Sequence, residues 1–408
     1  MEEGSAVRRT LFSCIYTVAG RIAEPVMRPS AAAASHLRTS MIITQVVLHP
    51  LSIPLKAPFV TSLGALSDVA NVVVEVRTRS GAVGWGECSP FWTINGETQG
   101  TCMVVGEHLA AALLGHDALD IEGAHVRMDR LIFGNNSIKS AFDIALHDLA
   151  AQHADLPLWK YLGGERYFDP ITDYTVSLGD PEKMAADAEA IVAAGFPVIK
   201  VKLGGAGDLD IRRIRAIRSR VPSIPLRIDA NQGWDPATAI HVLNALADAG
   251  IEHCEEPIPR WQFMELRRVR EASPIPIMAD ESCCDHHDAE RLIALGACQR
   301  FNIKLGKSGG LFKARKIIAL AAQAGLTVQV GGFLESRLAW SAAAALALSS
   351  PCVRYGDMDT PLMFSADPVE GGIRYLEGGR VRLPEGRGLD ARLSDAHRSS
   401  GTSLSVAG

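Results

Sequence analysis

The sequence reads VIKVK at residues 198–202, LRIDAN at 226–231, IEHCEEP at 251–257, IPIMADE at 275–281 and FNIK at 301–304. Ionisable residues at the ends of these apolar runs follow one another after 27, 26, 25 and 24 residues; they are Lys202, Asp229, Glu255, Asp280 and Lys304. A strand, a helix and their turns need about 25 residues, so this spacing is typical of consecutive βα units that close into a barrel. Because the carboxyl ends of barrel strands converge on one mouth, we predict that three carboxylates and two lysines meet in one pocket.

The pattern on either side of this repeat predicts an α/β chain of two domains with flanking segments. From 41 to about 88, apolar and polar residues alternate as in antiparallel strands, and helical patterns follow at about 97–114, 119–131 and 137–153. Strands followed by helices outside the barrel indicate an α+β capping domain, whose loop at 54–68 could act as a lid. The predicted divisions are a disordered extension at 1–40, the N-terminal α+β capping domain at 41–165, a modified TIM barrel of the (β/α)7β type at 166–362, a C-terminal segment returning to the capping domain at 363–390, and a polar tail at 391–408.

Composition narrows the class of protein. The chain is 47% hydrophobic and 21% charged, as ordinary globular proteins are. A formal net charge of −5 argues against a nucleic-acid partner, which usually needs a basic face. We expect no membrane span, because no run of about 18 apolar residues occurs. Eight cysteines without CxxC spacing favour reduced thiols and a cytoplasmic location, and we expect a homo-oligomer that acts on a small molecule.

Three of the strand-end residues are carboxylates: Asp229, Glu255 and Asp280. Three carboxylates at one barrel mouth repel one another strongly unless a hard divalent cation neutralises them. Mg²⁺ suits such a site because it takes oxygen ligands and leaves positions for water and substrate. The alternative is that each carboxylate caps the helix that follows its strand. Three carboxylates at matched positions, flanked by lysines, favour the metal.

The two strand-end lysines suggest proton transfer. Lys202 and Lys304 fall on the second and sixth predicted strands, which face each other across an eight-stranded barrel. Lys200 shares a strand face with Lys202, and we expect its ammonium and the cation to lower the pKa of Lys202 toward that of a base. Two bases on opposite sides of a carbon next to a carboxylate could remove and return a proton through an enediolate, as racemisation or epimerisation requires. The alternative is that both lysines only form ion pairs with the carboxylates.

The complete series resembles the motifs of the enolase superfamily, and it is most similar to the muconate-lactonizing subgroup. The matching motifs are KVK at 200–202, DAN at 229–231, EEP at 255–257, ADES at 279–282 and NIK at 302–304. The resemblance covers most of residues 41–386 and implies a lid-bearing capping domain before a modified barrel. It also implies one Mg²⁺ per subunit, bound by Asp229, Glu255 and Asp280. The acid/base pair would be Lys202 and Lys304, with Lys200 tuning Lys202.

A second acidic motif, DMD at 357–359, falls at the end of the eighth predicted strand. Asp357 and Asp359 share one face of an extended segment and could bind an ammonium group, although a solvated turn is the alternative. The motif resembles the DxD sequence with which dipeptide epimerases hold the free α-amino group of their substrate. Thr175, on the first barrel strand, matches a position near the substrate backbone in that family.

The resemblance therefore implies an Mg²⁺-dependent dipeptide epimerase that inverts the α-carbon of the C-terminal residue. The alternatives are an N-acylamino acid racemase or o-succinylbenzoate synthase, a muconate cycloisomerase or dehydratase of the same subgroup, or a barrel that binds without catalysis. Some family members that act on L-Ala-L-Glu carry an arginine in the lid loop, where this sequence has Gly64 and, nearby, Lys56. This departure leaves the second residue of the dipeptide open.

Overall fold

The computed structural model describes residues 41–398 and 402–408, so the extension predicted at 1–40 lies outside the described residues. Its first part is an antiparallel sheet followed by three helices, as the alternating and then helical patterns predict. Gly84 and Gly86 allow the sheet to pack closely on the third helix, because a Cβ on Gly86 would lie 1.9 Å from Ala141 O. The elements are β1 (Ile43–Thr61), β2 (Gly64–Thr78), β3 (Val83–Cys88), α1 (Gln99–Leu113), α2 (Ile121–Leu131) and α3 (Asn136–His153).

The segment predicted as a loop at 54–68 is instead the far end of a long hairpin. Strands β1 and β2 pair as far as Thr61 and Gly64, with a register shift between Pro54 and Phe59. Pro54 and Pro58 interrupt the alternation of apolar and polar residues, so the sequence predicts a loop. Pairing of the two strands nevertheless gives their backbone amides and carbonyls hydrogen-bond partners. At the tip, Ser62 Oγ donates hydrogen bonds to Ala230 O and Asn231 O, at 3.0 and 2.8 Å. The hairpin therefore lies over the barrel mouth.

The barrel has eight parallel strands in simple sequential order, which confirms the predicted (β/α)7β architecture. The first and last strands adjoin through a parallel bridge between Thr172 and Gly356. A short helix α4 (Leu158–Tyr161) precedes the barrel. The strands are β4 (Tyr174–Val176), β5 (Ile199–Lys202), β6 (Leu226–Asp229), β7 (Ile251–Glu255), β8 (Ile277–Ala279), β9 (Arg300–Lys304), β10 (Thr327–Gly331) and β11 (Val353–Gly356). The helices between them are α5 (Pro181–Ala193), α6 (Gly207–Arg220), α7 (Pro236–Ala245), α8 (Leu266–Ala272), α9 (His286–Leu295), α10 (Leu305–Ser308), α11 (Leu311–Gln323) and α12 (Arg337–Ala347).

The C-terminal residues are more ordered than the sequence suggests. Residues 391–408, predicted as a polar tail, contain two strands and a short helix. The last strand pairs antiparallel with β1 from Gln45↔Ala407 to Leu48↔Leu404 and becomes the edge of the capping sheet. The strand has only four residues and follows the Ser-Ser-Gly-Thr-Ser sequence at 399–403, so the sequence alone does not indicate it. The elements are β12 (Val369–Gly371), β13 (Arg374–Leu376), β14 (Arg380–Arg382), β15 (Ala391–Leu393), α13 (Asp395–Arg398) and β16 (Leu404–Ala407).

No helix in the described part of the chain is long and apolar enough to cross a membrane. The homo-oligomeric assembly and the cytoplasmic location stay predictions.

A buried carboxylate, Asp143, joins the capping domain to the barrel. It lies on α3 and accepts hydrogen bonds from His125 Nε2 at 2.7 Å and from the backbone amide of Leu311 at 2.5 Å. The second bond caps the start of α11, next to Gly310, where a Cβ would lie 2.3 Å from the Asp143 carboxyl group. Burial raises the pKa of Asp143, but the neighbouring His147 and His125 lower it by a larger amount. The net pKa therefore lies below its usual value.

We expect Asp143→Asn to destabilise the protein by about 2–4 kcal/mol at neutral pH, because the amide cannot satisfy all these donors. The folded-state pKa lies below the unfolded value of 3.8, so the stabilisation is complete above that value and is lost as the pH falls through the folded pKa. Urea denaturation at pH 7 and at about pH 3.5 measures this, and the variant should differ less from the wild type at the lower pH. The control, Asp155→Asn on the surface, should change stability by no more than about 0.5 kcal/mol. An equal destabilisation at both pH values would contradict the argument.

Candidate active site

The register of the barrel brings the predicted residues to one level. Lys202 pairs with Asp229 and Asp229 with Glu255, so the last residues of β5, β6 and β7 lie side by side. Asp280 follows the last residue of β8, and Lys304 ends β9. All five are buried at the same mouth. The repeat in the sequence therefore does place three carboxylates and two lysines together.

The three carboxylates form a site that could bind a metal ion. Asp229, Glu255 and Asp280 each offer an oxygen, and these oxygens lie within 4.8 Å of one another. Asp280 Oδ2 lies 2.8 Å from Lys304 Nζ but accepts no hydrogen bond. Other buried oxygens nearby also have no hydrogen-bond partner; they are Asn231 Oδ1, Glu281 Oε2 and Asn302 Oδ1. An all-oxygen donor set with unsatisfied buried acceptors fits a hard divalent cation such as Mg²⁺.

The carboxylates strongly affect one another's ionisation. Burial raises the pKa of Asp229, but the ammonium groups of Lys202 and Lys200 outweigh it and bring the pKa to about 2. Burial and the charge of Asp229 raise the pKa of Glu255 to about 7, against the effect of Lys200. Repulsion among these groups is therefore not fully relieved by the lysines, and a bound divalent cation would relieve it.

Lys202 and Lys304 line the same small cavity from opposite strands of the barrel. Lys202 Nζ donates to Asp229 Oδ2 at 2.6 Å and lies 5.7 Å from the ring centre of Phe59. Lys304 Nζ lies 5.1 Å from the ring centre of Phe333. Burial lowers the pKa of Lys304, but the carboxylates around it, with Asp280 foremost, raise it above the usual range. Both lysines therefore contact carboxylates and also face the space where a substrate would lie.

Lys200 lies deeper in the barrel and links the two acidic groups. Its Nζ donates to Glu255 Oε2 at 2.9 Å and to Asp357 Oδ2 at 2.7 Å, and it lies 3.2 Å from Asp229 Oδ2. Burial lowers the pKa of Lys200, but these carboxylates raise it well above its usual value. It is a fixed positive charge beside Asp229, the partner of Lys202.

The residues predicted to bind an amino group line the same cavity as the two lysines; they are Asp357, Asp359 and Thr175. The backbone amide of Thr175 donates to Asp359 Oδ2 at 2.7 Å, so the carboxylate is held toward β4. Burial and the charge of Asp357 raise the pKa of Asp359 to about 7. The two aspartates are buried in the barrel mouth and are not part of a solvated turn.

Mostly apolar side chains cover the rest of the cavity, together with Thr61, Asn231 and Thr360; its volume is 40 Å³. The hairpin tip contributes Phe59 and Leu63, and the loop after β3 contributes Phe91 and Ile94. An adjoining cavity of 80 Å³ shares Phe59, Leu63 and Phe91 and continues outward to Gly64, Leu66 and Trp92. Lys202 and Lys304 are the cations among the described residues that line these two cavities. Lys56 lines neither, because its Nζ donates to Leu362 O at 2.8 Å.

Two buried ionisable residues of the capping domain, Glu87 and His147, form hydrogen bonds outside the cavity that the lysines line. Glu87 accepts hydrogen bonds from Asn71 Nδ2 at 2.8 Å and from the Ser336 amide at 2.9 Å, and it joins β3 to the start of α12. His147 contacts the backbone oxygen of Asp143 at 2.9 Å. Neither residue lines the cavity between the lysines.

Several buried partners of the site are not evident from the sequence. Lys307 is fully buried and donates to Asp280 and to Asn302 O, the latter at 3.1 Å. Asn302 Nδ2 and Gln329 Nε2 donate to Glu255 at 2.7 and 3.1 Å. Their roles depend on side chains of adjacent strands, which strand spacing does not specify. One signal in the sequence does point to a buried role for Lys307, because it lies three residues after Lys304 in a short segment with no other charged residue.

Two protein-family models match the chain. The model described as enolase C-terminal domain-like matches residues 183–397. The model of the mandelate racemase / muconate lactonizing enzyme N-terminal domain matches residues 42–163. The two matches cover the capping domain and most of the barrel, from α5 onward.

The chain is also similar to named proteins over most of its length. It is 55% identical over 352 residues to the D-Ala-D/L-Ala epimerase of Cytophaga hutchinsonii, a match that covers 86% of this chain and 96% of the relative. It is 39% identical over 356 residues to the L-Ala-D/L-Glu epimerase of Bacillus subtilis, with 86% and 96% covered. A crystal structure of the dipeptide epimerase from Cytophaga hutchinsonii, complexed with Mg and the dipeptide D-Ala-L-Val, has a TM-score of 0.89 and 53% identity, covering 90% of this chain and 100% of that one.

Proposed function

Since this chain belongs to the mandelate racemase / muconate lactonizing enzyme family of the enolase superfamily, we propose that it is a dipeptide epimerase. This isomerase inverts the α-carbon of the C-terminal residue of a dipeptide. The observation that carries the proposal is a single cavity lined both by Lys202 and Lys304, from opposite sides of the barrel, and by Asp357 and Asp359. The similarity to dipeptide epimerases supports it.

We propose that Asp229, Glu255 and Asp280 hold one Mg²⁺ per subunit. Their oxygens lie close together, and the unsatisfied oxygens around them suit a hydrated cation. When bound, the cation supplies positive charge that stabilises the developing negative charge on a substrate carboxylate. Lys307 and Asn302 hold Asp280 and Glu255 in orientation, through hydrogen bonds to their carboxyl groups.

The two lysines would move the proton. With the α-carbon of the C-terminal residue between Lys202 and Lys304, one amine removes the α-proton and gives an enediolate. The opposite ammonium then delivers a proton to the other side of that carbon, which inverts its configuration. Lys200 lies beside Asp229, the carboxylate that Lys202 contacts, so it helps to hold this carboxylate, and through it Lys202, in place. Phe59 and Phe333 shield the lysines from water.

Asp357 and Asp359 would recognise the free amino group. An α-ammonium pairs with these two buried carboxylates, which line the cavity. An N-acylated amino acid has no such cation, so Asp359, which accepts the Thr175 amide but forms no ion pair among the described residues, would stay buried without a cationic partner, which is costly. This is the physical reason to prefer a dipeptide over N-succinyl substrates.

The walls of the cavity favour dipeptides with small apolar side chains. Leu63, Phe91 and Ile94 offer no polar partner, and no described cation reaches the adjoining space around Leu66 and Trp92. A glutamate side chain placed there would lose its hydration without gaining a counter-ion. We therefore propose alanine, valine or a similar residue at the C-terminal position.

The decisive experiment is proton NMR of the Mg²⁺-loaded enzyme in D₂O with L,L-dipeptides and N-succinyl amino acids. We expect deuterium to enter the α-position of the C-terminal residue, together with inversion, in dipeptides that end in alanine or valine. Dipeptides ending in glutamate should react with a kcat/KM at least about tenfold lower. Exchange confined to N-succinyl substrates would refute the dipeptide assignment. Loss of water from a substrate would identify a dehydratase.

A further inference from the structure

A third carboxylate, that of Asp173, lies fully buried behind the proposed amino-group site. Carboxyl oxygens of Asp173, Asp357 and Asp359 lie within 4.8 Å of one another. The two chain segments are tied together, since the backbone amide of Met358 donates to Thr172 Oγ1 at 2.7 Å. This fixes the three carboxylates as one unit at the junction of the first and last barrel strands.

Arg227 holds Asp173 in place from the barrel interior. Its Nη1 donates to Asp173 Oδ2 at 2.8 Å and to Gly356 O at 2.9 Å. The other carboxyl oxygen, Asp173 Oδ1, has no hydrogen-bond partner although the residue is completely buried. A buried acceptor without a donor is costly, and a nearby cation would stabilise it.

The charges around this unit do not balance. Arg227 and Lys200 face three carboxylates, and Lys200 is also shared with Glu255. Burial and the charge of Asp357 raise the pKa of Asp173 well above its usual value, whereas Arg227 and Lys200 lower it, so an ammonium group bound nearby would favour the ionised form of Asp173. Because Arg227 is also shared with Glu252, such a group would reduce the surplus of negative charge without removing it.

We propose that Asp173 is a positioning residue for the amino end of the substrate. Its charge, fixed by Arg227 behind Asp357 and Asp359, strengthens the attraction of the site for an α-ammonium group. Asp173 does not line the cavity, whereas the two other aspartates do, so it acts through the electrostatic field and through their placement. The inference rests on the proposed dipeptide epimerase function.

The test is Asp173→Asn, which keeps the shape of the side chain and removes its charge. We expect KM for L-Ala-L-Val to rise by about 10- to 100-fold while kcat changes by less than about threefold, because the reacting carbon is remote from Asp173. The inhibition constant of N-acetyl-L-Ala-L-Val, which has no ammonium group, should change by less than about twofold. A purely structural defect would weaken both ligands or lower kcat.

Glu252→Gln is the matched control. Glu252 is the other carboxylate partner of Arg227, accepting from its Nε at 2.9 Å on the side away from the cluster. Removing this charge should leave KM and the inhibition constant within about twofold of the wild type. A rise in KM equal to that of Asp173→Asn would show that the arginine network matters and the charge of Asp173 does not.

The double variant Asp357→Asn/Asp359→Asn tests whether Asp173 alone attracts an α-ammonium group. It replaces Asp173→Asn as the test if that variant does not fold. We expect it still to bind L-Ala-L-Val about fivefold or more tightly than the N-acetyl form, because the charge of Asp173 remains. Equal affinities would overturn the inference, as would an unchanged KM in Asp173→Asn. A wild-type enzyme inactive on every dipeptide would instead refute the proposed function.

Discussion

Lys202→Ala will abolish epimerisation of L-Ala-L-Val, with a loss of kcat of about 10³-fold or more. Inversion needs one group to remove the proton and another on the opposite side to return one, and β5 and β9 place Lys202 and Lys304 on opposite sides of the barrel. With one lysine left, the α-proton can still be removed and returned on one side. The variant should therefore exchange deuterium into one stereoisomer of the dipeptide without inverting it.

Lys304→Ala should show the reciprocal behaviour. Each single variant then exchanges only the isomer whose α-proton faces its remaining lysine, and the double variant exchanges neither. Proton NMR in D₂O with separate L-Ala-L-Val and L-Ala-D-Val samples measures this directly. Lys183→Ala, on the exposed side of α5, is the control and should retain full activity. If both single variants lost exchange with both isomers, the lysines would be needed for the site's structure and the division of roles would be wrong.

Removal of the metal will eliminate activity and lower the thermal stability. Asp229, Glu255 and Asp280 are completely buried, and they repel one another when no divalent cation lies between them. We expect treatment with a chelator to reduce kcat by about 10³-fold or more, and added Mg²⁺ to restore it. Because Mg²⁺ binds the folded state, saturating Mg²⁺ should raise the Tm by several degrees.

Asp280→Asn distinguishes the proposed metal site from the alternative that each carboxylate only caps the helix after its strand. We expect the variant to lose at least about tenfold in Mg²⁺ affinity, measured by calorimetry, since one anionic ligand is removed. Asp235→Asn is the matched control, because Asp235 also follows a barrel strand but its side chain caps α7 through the Thr238 amide at 2.8 Å. Its Mg²⁺ affinity should be unchanged. If Asp280→Asn bound Mg²⁺ as tightly as the wild type, the carboxylates would not form the metal site.

The sequence predicted the barrel and the clustering of five ionisable residues at its mouth, because spacing along the chain translates directly into position. Each βα unit has a nearly constant length, so Lys202, Asp229 and Glu255 fall at the same level of adjacent strands. The same argument located Asp280 and Lys304. Local patterns were therefore sufficient to bring distant residues together.

What the sequence did not predict depends on contacts between segments that are far apart in the chain. Asp173 and Arg227 each resemble an ordinary charged residue near a strand, and only the closed barrel brings them within 2.8 Å. The hairpin at 54–68 resembles a loop in the sequence because its prolines weaken the strand pattern. Its strands can be recognised only from their pairing with each other. The same holds for β16, whose partner β1 lies about 360 residues earlier.

The edge position of β16 has a consequence for synthesis on the ribosome. The capping domain is made before the barrel, yet one edge of β1 stays unpaired until residues 404–407 have emerged, after the whole barrel. An open edge strand is prone to pair with other chains. Nascent chains that stall before residue 404, or carry a frameshift between the barrel and this strand, should therefore aggregate although their barrel and active-site residues are complete.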